Sequence, residues 1–224
     1  MSGFKNRKLP IWTVTTGTIQ AIDNAYDTIK VRGAVTFKNS VNLNNLFIIG
    51  QLVCHSDVVV GLLKNRGVCF LKDKLEARRL VNTGHLSIKE AQVVELESFG
   101  YIKVKGLLQT DQFQAKGVMS IGELHGNHIE ILMSGKCKIE RLIGKEVFVN
   151  LTKNPFSLTS KKLISKDITG KNLSLTFTEA ECVKGDYVTI GPYCVINTLY
   201  YKDYYKIDPT SKVEHIIYLE GDEE

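Results

Sequence analysis

The chain has 224 residues, 43% of them apolar and 24% charged, with a formal net charge of +5. That balance excludes a chain disordered by composition, and the length suffices for one or two domains with a substantial core. No apolar run approaches the length of a membrane span. The basic start MSGFKNRKLPIW leads into no signal-peptide segment, so a cytoplasmic location is expected.

Residues 1–11 form a basic N-terminal segment containing Phe4, Lys5, Arg7 and Lys8 and ending at Ile11, with Trp12 directly after it. From residue 12 the glycines are regularly placed. Gly17, Gly33, Gly50, Gly67, Gly84, Gly100, Gly117 and Gly135 are separated by 16, 17, 17, 17, 16, 17 and 18 residues. Such a period requires a test for internal repeats before any local assignment.

Residues at fixed offsets from these glycines share a chemistry. Two positions after the glycine stand Ile19, Val35, Leu52, Cys69, Leu86, Ile102, Met119 and Cys137. Four after stand Ala21, Phe37, Cys54, Leu71, Ile88, Val104, Ile121 and Ile139. Four before, from Gly33 onward, the column is again wholly apolar, from Ile29 to Ile131. Two before it is mixed and includes Asn65, Asn82 and Ser98. Period 2 within each unit predicts short strands bent at the glycine. A unit of about 17 residues cannot bury its own apolar face, so successive units must cover one another. The expected architecture is all-β: a parallel β-helix with one coil per repeat over residues 12–150. Coils spaced by about 4.8 Å would make the eight-coil stack rise on the order of 40 Å. Asn65 and Asn82, one coil apart in an inward column, predict an asparagine ladder bonded along the stack.

Beyond residue 150 the period weakens. Residues 151–172 are rich in Lys, Ser, Thr and Asn, contain Pro155, and read as a loop or insertion with one strand near Leu163. Residues 173–219 resume strand patterning as irregular C-terminal coils or a cap, and 220–224 form an acidic tail. The run YYKDYYKI clusters Tyr200, Tyr201, Tyr204 and Tyr205, a composition found in cross-strand packing and also at interfaces.

Chemistry is sparse. The five cysteines, Cys54, Cys69, Cys137, Cys182 and Cys194, form no C-x-x-C pair and have no histidine at zinc-finger spacing, so neither a disulfide scaffold nor structural zinc is expected. The five histidines, His55, His85, His125, His128 and His215, share no column. His125 and His128 have a spacing that could hold a metal, but no third ligand is suggested. Phosphate-binding, dinucleotide-binding and nucleophile-elbow motifs are missing, so no catalytic residue, cofactor or metal is expected. The cluster Lys72, Lys74, Arg78 and Arg79 comes without a nucleic-acid-binding motif and reads as surface. The stretch VTIGPYCVI shows the spacing of one hexapeptide-repeat acyltransferase coil. A carbohydrate-active β-helix is the other enzymatic alternative.

The repeated Φ-x-Φ-x-G-x-Φ-x-Φ pattern, as in IKVRGAVTF, LLKNRGVCFL and FQAKGVMSI, resembles that of the bactofilins, polymer-forming bacterial cytoskeletal proteins. The later segments LIGKEVFVNL and YVTIGPYCVI look like the extended Gram-positive type. The resemblance implies a right-handed parallel β-helix that polymerises end to end without nucleotide and scaffolds other proteins. It implies as partners the chain itself, the inner membrane surface and cell-envelope proteins. Assembly or membrane contacts would fall to Phe4, Lys5, Arg7, Lys8, Trp12, Tyr201 and Tyr204.

Overall fold

A computed structural model describes residues 10–22, 26–152 and 161–220. Among these residues thirteen strands follow one another: β1 (Ile11–Ile19), β2 (Thr28–Phe37), β3 (Val41–Ile48), β4 (Gln51–Cys54), β5 (Val58–Asn65), β6 (Val68–Asn82) and β7 (His85–Ser98). They continue with β8 (Tyr101–Met133), β9 (Lys136–Leu151), β10 (Lys162–Leu175), β11 (Thr178–Ile190), β12 (Val195–Ile207) and β13 (Lys212–Tyr218). Among these residues the strands pair in parallel, and the order follows the chain. The molecule is a β-solenoid of about 12 turns, roughly 17 residues apart. Among the described residues no helix is long and apolar enough to cross a membrane.

Each turn has three faces. In the turn at residues 51–65, Gln51–Cys54 pairs with Val68–Cys69–Phe70–Leu71, Val58–Val60 with Leu75–Ala77, and Leu62–Asn65 with Arg79–Asn82. We call these the first, second and third faces. Pairing lapses between them because the backbone turns there. Alternate side chains point inward, which is why period 2 survives within each short strand.

The inward columns are sealed. Val35, Leu52, Cys69, Leu86, Ile102 and Met119 are buried, as are Phe37, Cys54, Leu71, Ile88, Val104 and Ile121. Burying a Leu or Ile side chain contributes about 1.5–3 kcal/mol, and here each makes its contacts with the turns above and below.

The ladder from Gly33 to Gly117 lies at the corner entering the first face, where each turn closes onto the one beneath. A Cβ on Gly67 would collide with the Gly50 carbonyl oxygen and sit 2.5 Å from that of Ile49. Close backbone approach makes a side chain intolerable there.

The two ends of the ladder differ from expectation. Gly17 pairs with Val35 and Ile19 with Phe37, so Thr15, not Gly17, stands beneath Gly33. A register shift between Val14 and Thr16 displaces the glycine by two positions, and Gly17 itself has φ +121°. At the other end, a Cβ on Gly135 would meet the Val118 side chain at 3.0 Å and no carbonyl of Gly117. The turn there holds 18 residues, Ser120 pairing with Lys138, and the extra length opens the corner.

A second ladder then takes over at another corner: Gly126 pairs with Gly144, Gly144 with Gly170, and Gly170 with Gly185. Above Gly185 stands Tyr201. The expected loop at 151–172 is shorter than the sequence suggests. β10 begins at Lys162, and Leu163 pairs with Cys137, 26 positions earlier, so the surplus residues leave the stacking register intact. The segment following is also more regular than expected, since β10 and β11 keep a constant offset from Leu163↔Thr178 to Leu175↔Ile190.

Candidate assembly surface

A stack of coils has two ends, and each presents unpaired strand backbone and a cross-section of the core. The two ends of this stack are built differently.

At the N-terminal end, β1 covers β2, with Trp12 over Ile29 and Val14 over Val31. The Trp12 ring stacks on Tyr26 with centroids 5.2 Å apart and planes at 25°. Ile19, Ile22 and Tyr26 also pack on the core, so aromatic and aliphatic side chains fold over this cross-section. Phe4, Lys5, Arg7 and Lys8 lie outside the described residues.

At the C-terminal end, β13 covers β12 only from Val195 to Tyr201. The remaining part of β12, Tyr204–Ile207, rests on Tyr187–Ile190. Among the described residues no strand lies on its upper side. Inward columns therefore end in the open: Val183–Leu199–Ile216 on the second face, Val188–Tyr205 and Ile190–Ile207 on the third. Val183, Leu199, Val188 and Ile190 are buried, whereas Ile216 is 43% and Tyr205 38% exposed.

This last turn is held firmly at its corner. Thr210 donates from its backbone N–H (2.9 Å) and its hydroxyl (2.6 Å) to Asp208 Oδ1. Those bonds, the hydroxyl's first, hold the Asp208 carboxyl below its ordinary pKa. The Ser211 hydroxyl donates to the Gly191 carbonyl at 2.7 Å and accepts from the Cys194 N–H at 2.8 Å. Nearby, Phe177 (φ 49°) and Tyr193 (φ 58°) take left-handed backbone conformations, with ring centroids 5.0 Å apart. Non-glycine residues rarely adopt that region. Here they turn the corner that glycine turns in the earlier coils.

The tyrosines divide by role. Tyr201 continues the second glycine corner, its ring 4.5 Å from Tyr205 and 5.6 Å from Tyr218. Tyr204 points outward beside Tyr187 and is 52% exposed. Asp203 accepts a hydrogen bond from Tyr187, and its charge raises the pKa of that phenol. Trp12 and the tyrosine pair Tyr201 and Tyr204 lie at opposite ends of the stack, so they form two surfaces.

Sequence reasoning placed Tyr205 in the tyrosine cluster but missed Ile207, Ile216 and Tyr218 as end-surface residues. The available signal was the apolar run IIYL within VEHIIYL.

The other singled-out residues are structural or exposed. Asn65 Nδ2 donates to Asn82 Oδ1 at 2.8 Å and to the His85 carbonyl at 3.0 Å. Asn82 Nδ2 donates to Ser98 Oγ and the Tyr101 carbonyl, each at 3.0 Å. His125 pairs with Glu123 at 2.6 Å and His128 with Glu146 at 2.8 Å. Among the described residues no group of three His, Cys, Asp or Glu could hold a metal ion. Lys74 pairs with Glu76, and Arg79 with Glu95 and Glu97, so the basic run at 72–79 is dispersed over different faces. In the hexapeptide-like stretch, Val188, Ile190, Cys194 and Ile196 are buried wall residues around the turn at Gly191–Tyr193.

Comparison with known proteins adds one relative. The chain is 33% identical over 112 residues to an uncharacterized protein, YhbE, of Bacillus subtilis (strain 168), covering 50% of this chain and 43% of that protein. The chain thus matches less than half the length of this relative. No family profile and no solved structure matches.

Proposed function

We propose that this protein is a non-enzymatic scaffold that assembles by stacking coil on coil, without nucleotide, in the manner of the bactofilins its repeat resembles. The observation that carries this reading is the open C-terminal turn. Tyr205 and Ile216 continue buried columns and end them exposed, and Ile207 ends its column half-buried, beside a strand edge whose backbone groups have no neighbour among the described residues. An edge of this kind templates further pairing, and another copy supplies the same period, the same face geometry and matching columns. The proposed setting is the cytoplasm, with cell-envelope proteins as the scaffolded partners.

Negative-stain microscopy and sedimentation of purified protein in nucleotide-free buffer test the reading. Filaments or discrete oligomers that grow with concentration are expected. Monodisperse monomers at every concentration and salt would remove it.

The second reading is a hexapeptide-repeat-like acyltransferase or a carbohydrate-active β-helix enzyme. The stretch Tyr187–Ile196 favours it, because its spacing and inward side chains are those of a hexapeptide coil. Turnover with a panel of acyl-CoA donors and acceptors would establish it over the scaffold.

A further inference from the structure

Another copy continues a solenoid face on face, with no step left open, only if the wall begins on the face that follows the one where it ends. The faces recur in the order first, second, third. At the N-terminal end β1 opens on the third face, where Ile11 to Val14 pair with Thr28 to Val31, and passes to the first, where Thr16 to Ile19 pair with Ala34 to Phe37. Thr28 to Val31 belong to the third face because the strands above them are Asn45 to Ile48 and then Leu62 to Asn65. At the C-terminal end β13 covers the first face at Lys212 and Val213 and the second at His215 to Tyr218. The third face is one strand short there, over Tyr204 to Ile207. From Ile11 to Tyr218 the wall thus contains a whole number of turns.

The two segments that flank this wall are opposite in charge. Residues 1–9 carry Lys5, Arg7 and Lys8, and residues 220–224 carry Glu220, Asp222, Glu223 and Glu224. One enters the wall and the other leaves it at the same corner, between the second and third faces. The sequence after Tyr218 is also unsuited to closing the last turn itself. Tyr218 pairs with Tyr201, 17 positions earlier, and at that offset Asp222 and Glu224 correspond to Tyr205 and Ile207. Those are inward positions, where a carboxylate would be buried without a partner.

We propose that copies join in one direction only, the strand Ile11 to Val14 of one copy completing the open third face at Tyr204 to Ile207 of another, with the basic segment of the first beside the acidic tail of the second. This joint rests on the stacking reading above and adds to it a polarity, a register and an electrostatic lock. In that register the inward columns run through without interruption: Trp12 lies over Tyr205, Val14 over Ile207 and Ile19 over Val213. Trp12, Ile19, Ile207 and Val213 are half-buried at the free ends and already pack on the core, so a neighbouring copy completes their burial. Reversed joints lose the match. Two C-terminal ends brought together would set strands antiparallel, a pairing found nowhere among the described residues, and would bring two acidic tails to one joint. Two N-terminal ends would bring two basic segments together. Like charges placed so repel, and opposite charges fix the register. The basic edge of the first face, with Lys72, Lys89 and Lys105 on successive turns, lies along the wall and takes no part.

Disulfide trapping with the full chain tests the joint, because stacked residues about 4.8 Å apart lie within disulfide reach. Thr13 would lie over Lys206 and Thr18 over Lys212, and all four are exposed. Chains carrying Thr13→Cys and chains carrying Lys206→Cys, differently tagged, are co-expressed and oxidised. Cross-linked dimers containing one chain of each kind are expected, with neither variant linking to itself, and both substitutions in one chain should give a ladder. Thr18→Cys with Lys212→Cys supplies a second pair should the first disturb folding, and wild type sets the background from the half-buried Cys182. Charge reversal is an independent readout. Lys5→Glu, Arg7→Glu and Lys8→Glu together should weaken assembly about tenfold in sedimentation, and Lys at 220, 222, 223 and 224 in the same chain should restore it. Cross-links between two Thr13→Cys chains, or between two Lys206→Cys chains, would overturn the polarity while leaving stacking in place. Assembly indifferent to both charge reversals would overturn the electrostatic lock. Monomers throughout, with no cross-link of any kind, would remove the stacking reading and this joint with it.

Discussion

Tyr205 stands directly above Val188 on the third face; Val188 is fully buried, and Tyr205, one turn later in the same column, is 38% exposed. The column ends there because the chain supplies no next strand among the described residues. If the end is an assembly surface, Tyr205→Asp and Ile216→Asp should each abolish growth into larger species. Both side chains are already partly in water, so thermal unfolding should move by no more than about 1 kcal/mol. Sedimentation and melting of the same samples separate these effects, and unaltered assembly by both variants would place the contact elsewhere.

In the middle of the stack the same type of substitution should unfold the protein. Ile88 is 1% exposed and packs between Leu71 and Val104 in its column. Ile88→Asp loses about 1.5–3 kcal/mol of burial and adds the larger cost of an unpaired charge. Circular dichroism should show loss of strand signal or a sharply lowered melting temperature; an unchanged melt would contradict the column.

Asn82 has a different role from its apolar neighbours. It accepts from the Gly84 N–H at 3.3 Å and donates to Ser98 Oγ and the Tyr101 carbonyl. Asn82→Ala leaves those groups short of a partner and should cost about 2–3 kcal/mol, read from the urea midpoint. Asn82→Leu should do no better despite being more apolar. A stabilising Asn82→Leu would show that the polar column is dispensable.

The glycine corner predicts a graded response. At Gly67 a new Cβ meets backbone carbonyls of the turn below, which cannot swing away. At Gly106 it meets the Glu90 Cγ at 3.1 Å, the flexible end of an exposed side chain. Gly67→Ala should therefore lose about 2 kcal/mol or more, and Gly106→Ala less than about 1 kcal/mol. Chemical denaturation of the pair gives the comparison, and equal losses would count against close approach as the cause.

The sealed thiols make stability depend on alkaline pH. Burial pushes the Cys137 thiol up to about 11 and raises Cys69 still further. Below about pH 9 both states hold the proton, and stability is full. Above it the unfolded chain loses a proton the folded chain keeps, so stability falls with pH by up to about 1.4 kcal/mol per unit for each such thiol. Cys137→Ala should flatten part of the decline between pH 9 and 11, measured by urea unfolding. The same burial should make Cys54, Cys69 and Cys137 slow to alkylate in the native protein.

The wall of the solenoid was legible in the sequence because its signal is doubly periodic, every second residue within a strand and every seventeenth or so along the chain. Each of Val35, Leu52, Cys69 and Leu86 could be assigned by comparison with the others. The exceptions share one physical cause. Where a turn gains or loses residues at a corner, the glycine count drifts from the pairing register, as at Gly17 and Gly135. The second ladder was hidden for the same reason: Gly144 and Gly170 are stacked neighbours separated by 26 positions. Strand β10 was read only near Leu163, and its continuation to Leu175 was obscured by the polar residues Lys166, Asp167, Lys171 and Asn172. The charge pattern of the first face was not legible either. Its basic edge assembles from one residue per turn, and in linear order Lys72 is read with Lys74, Arg78 and Arg79, whose side chains occupy other positions.

A repeating stack faces a hazard that a unique fold does not, since any turn can settle on the wrong neighbour and still bury its apolar side chains. In the column Ile48–Asn65–Asn82–Ser98–Ala115 three polar residues occupy consecutive turns between apolar ones. Slipping by one turn would break the Asn65–Asn82 or the Asn82–Ser98 hydrogen bond, stranding buried polar groups that the correct alignment satisfies. The polar run thus works as an index mark. It tells each coil which neighbour is its own, during folding and whenever exposed edges of different copies meet.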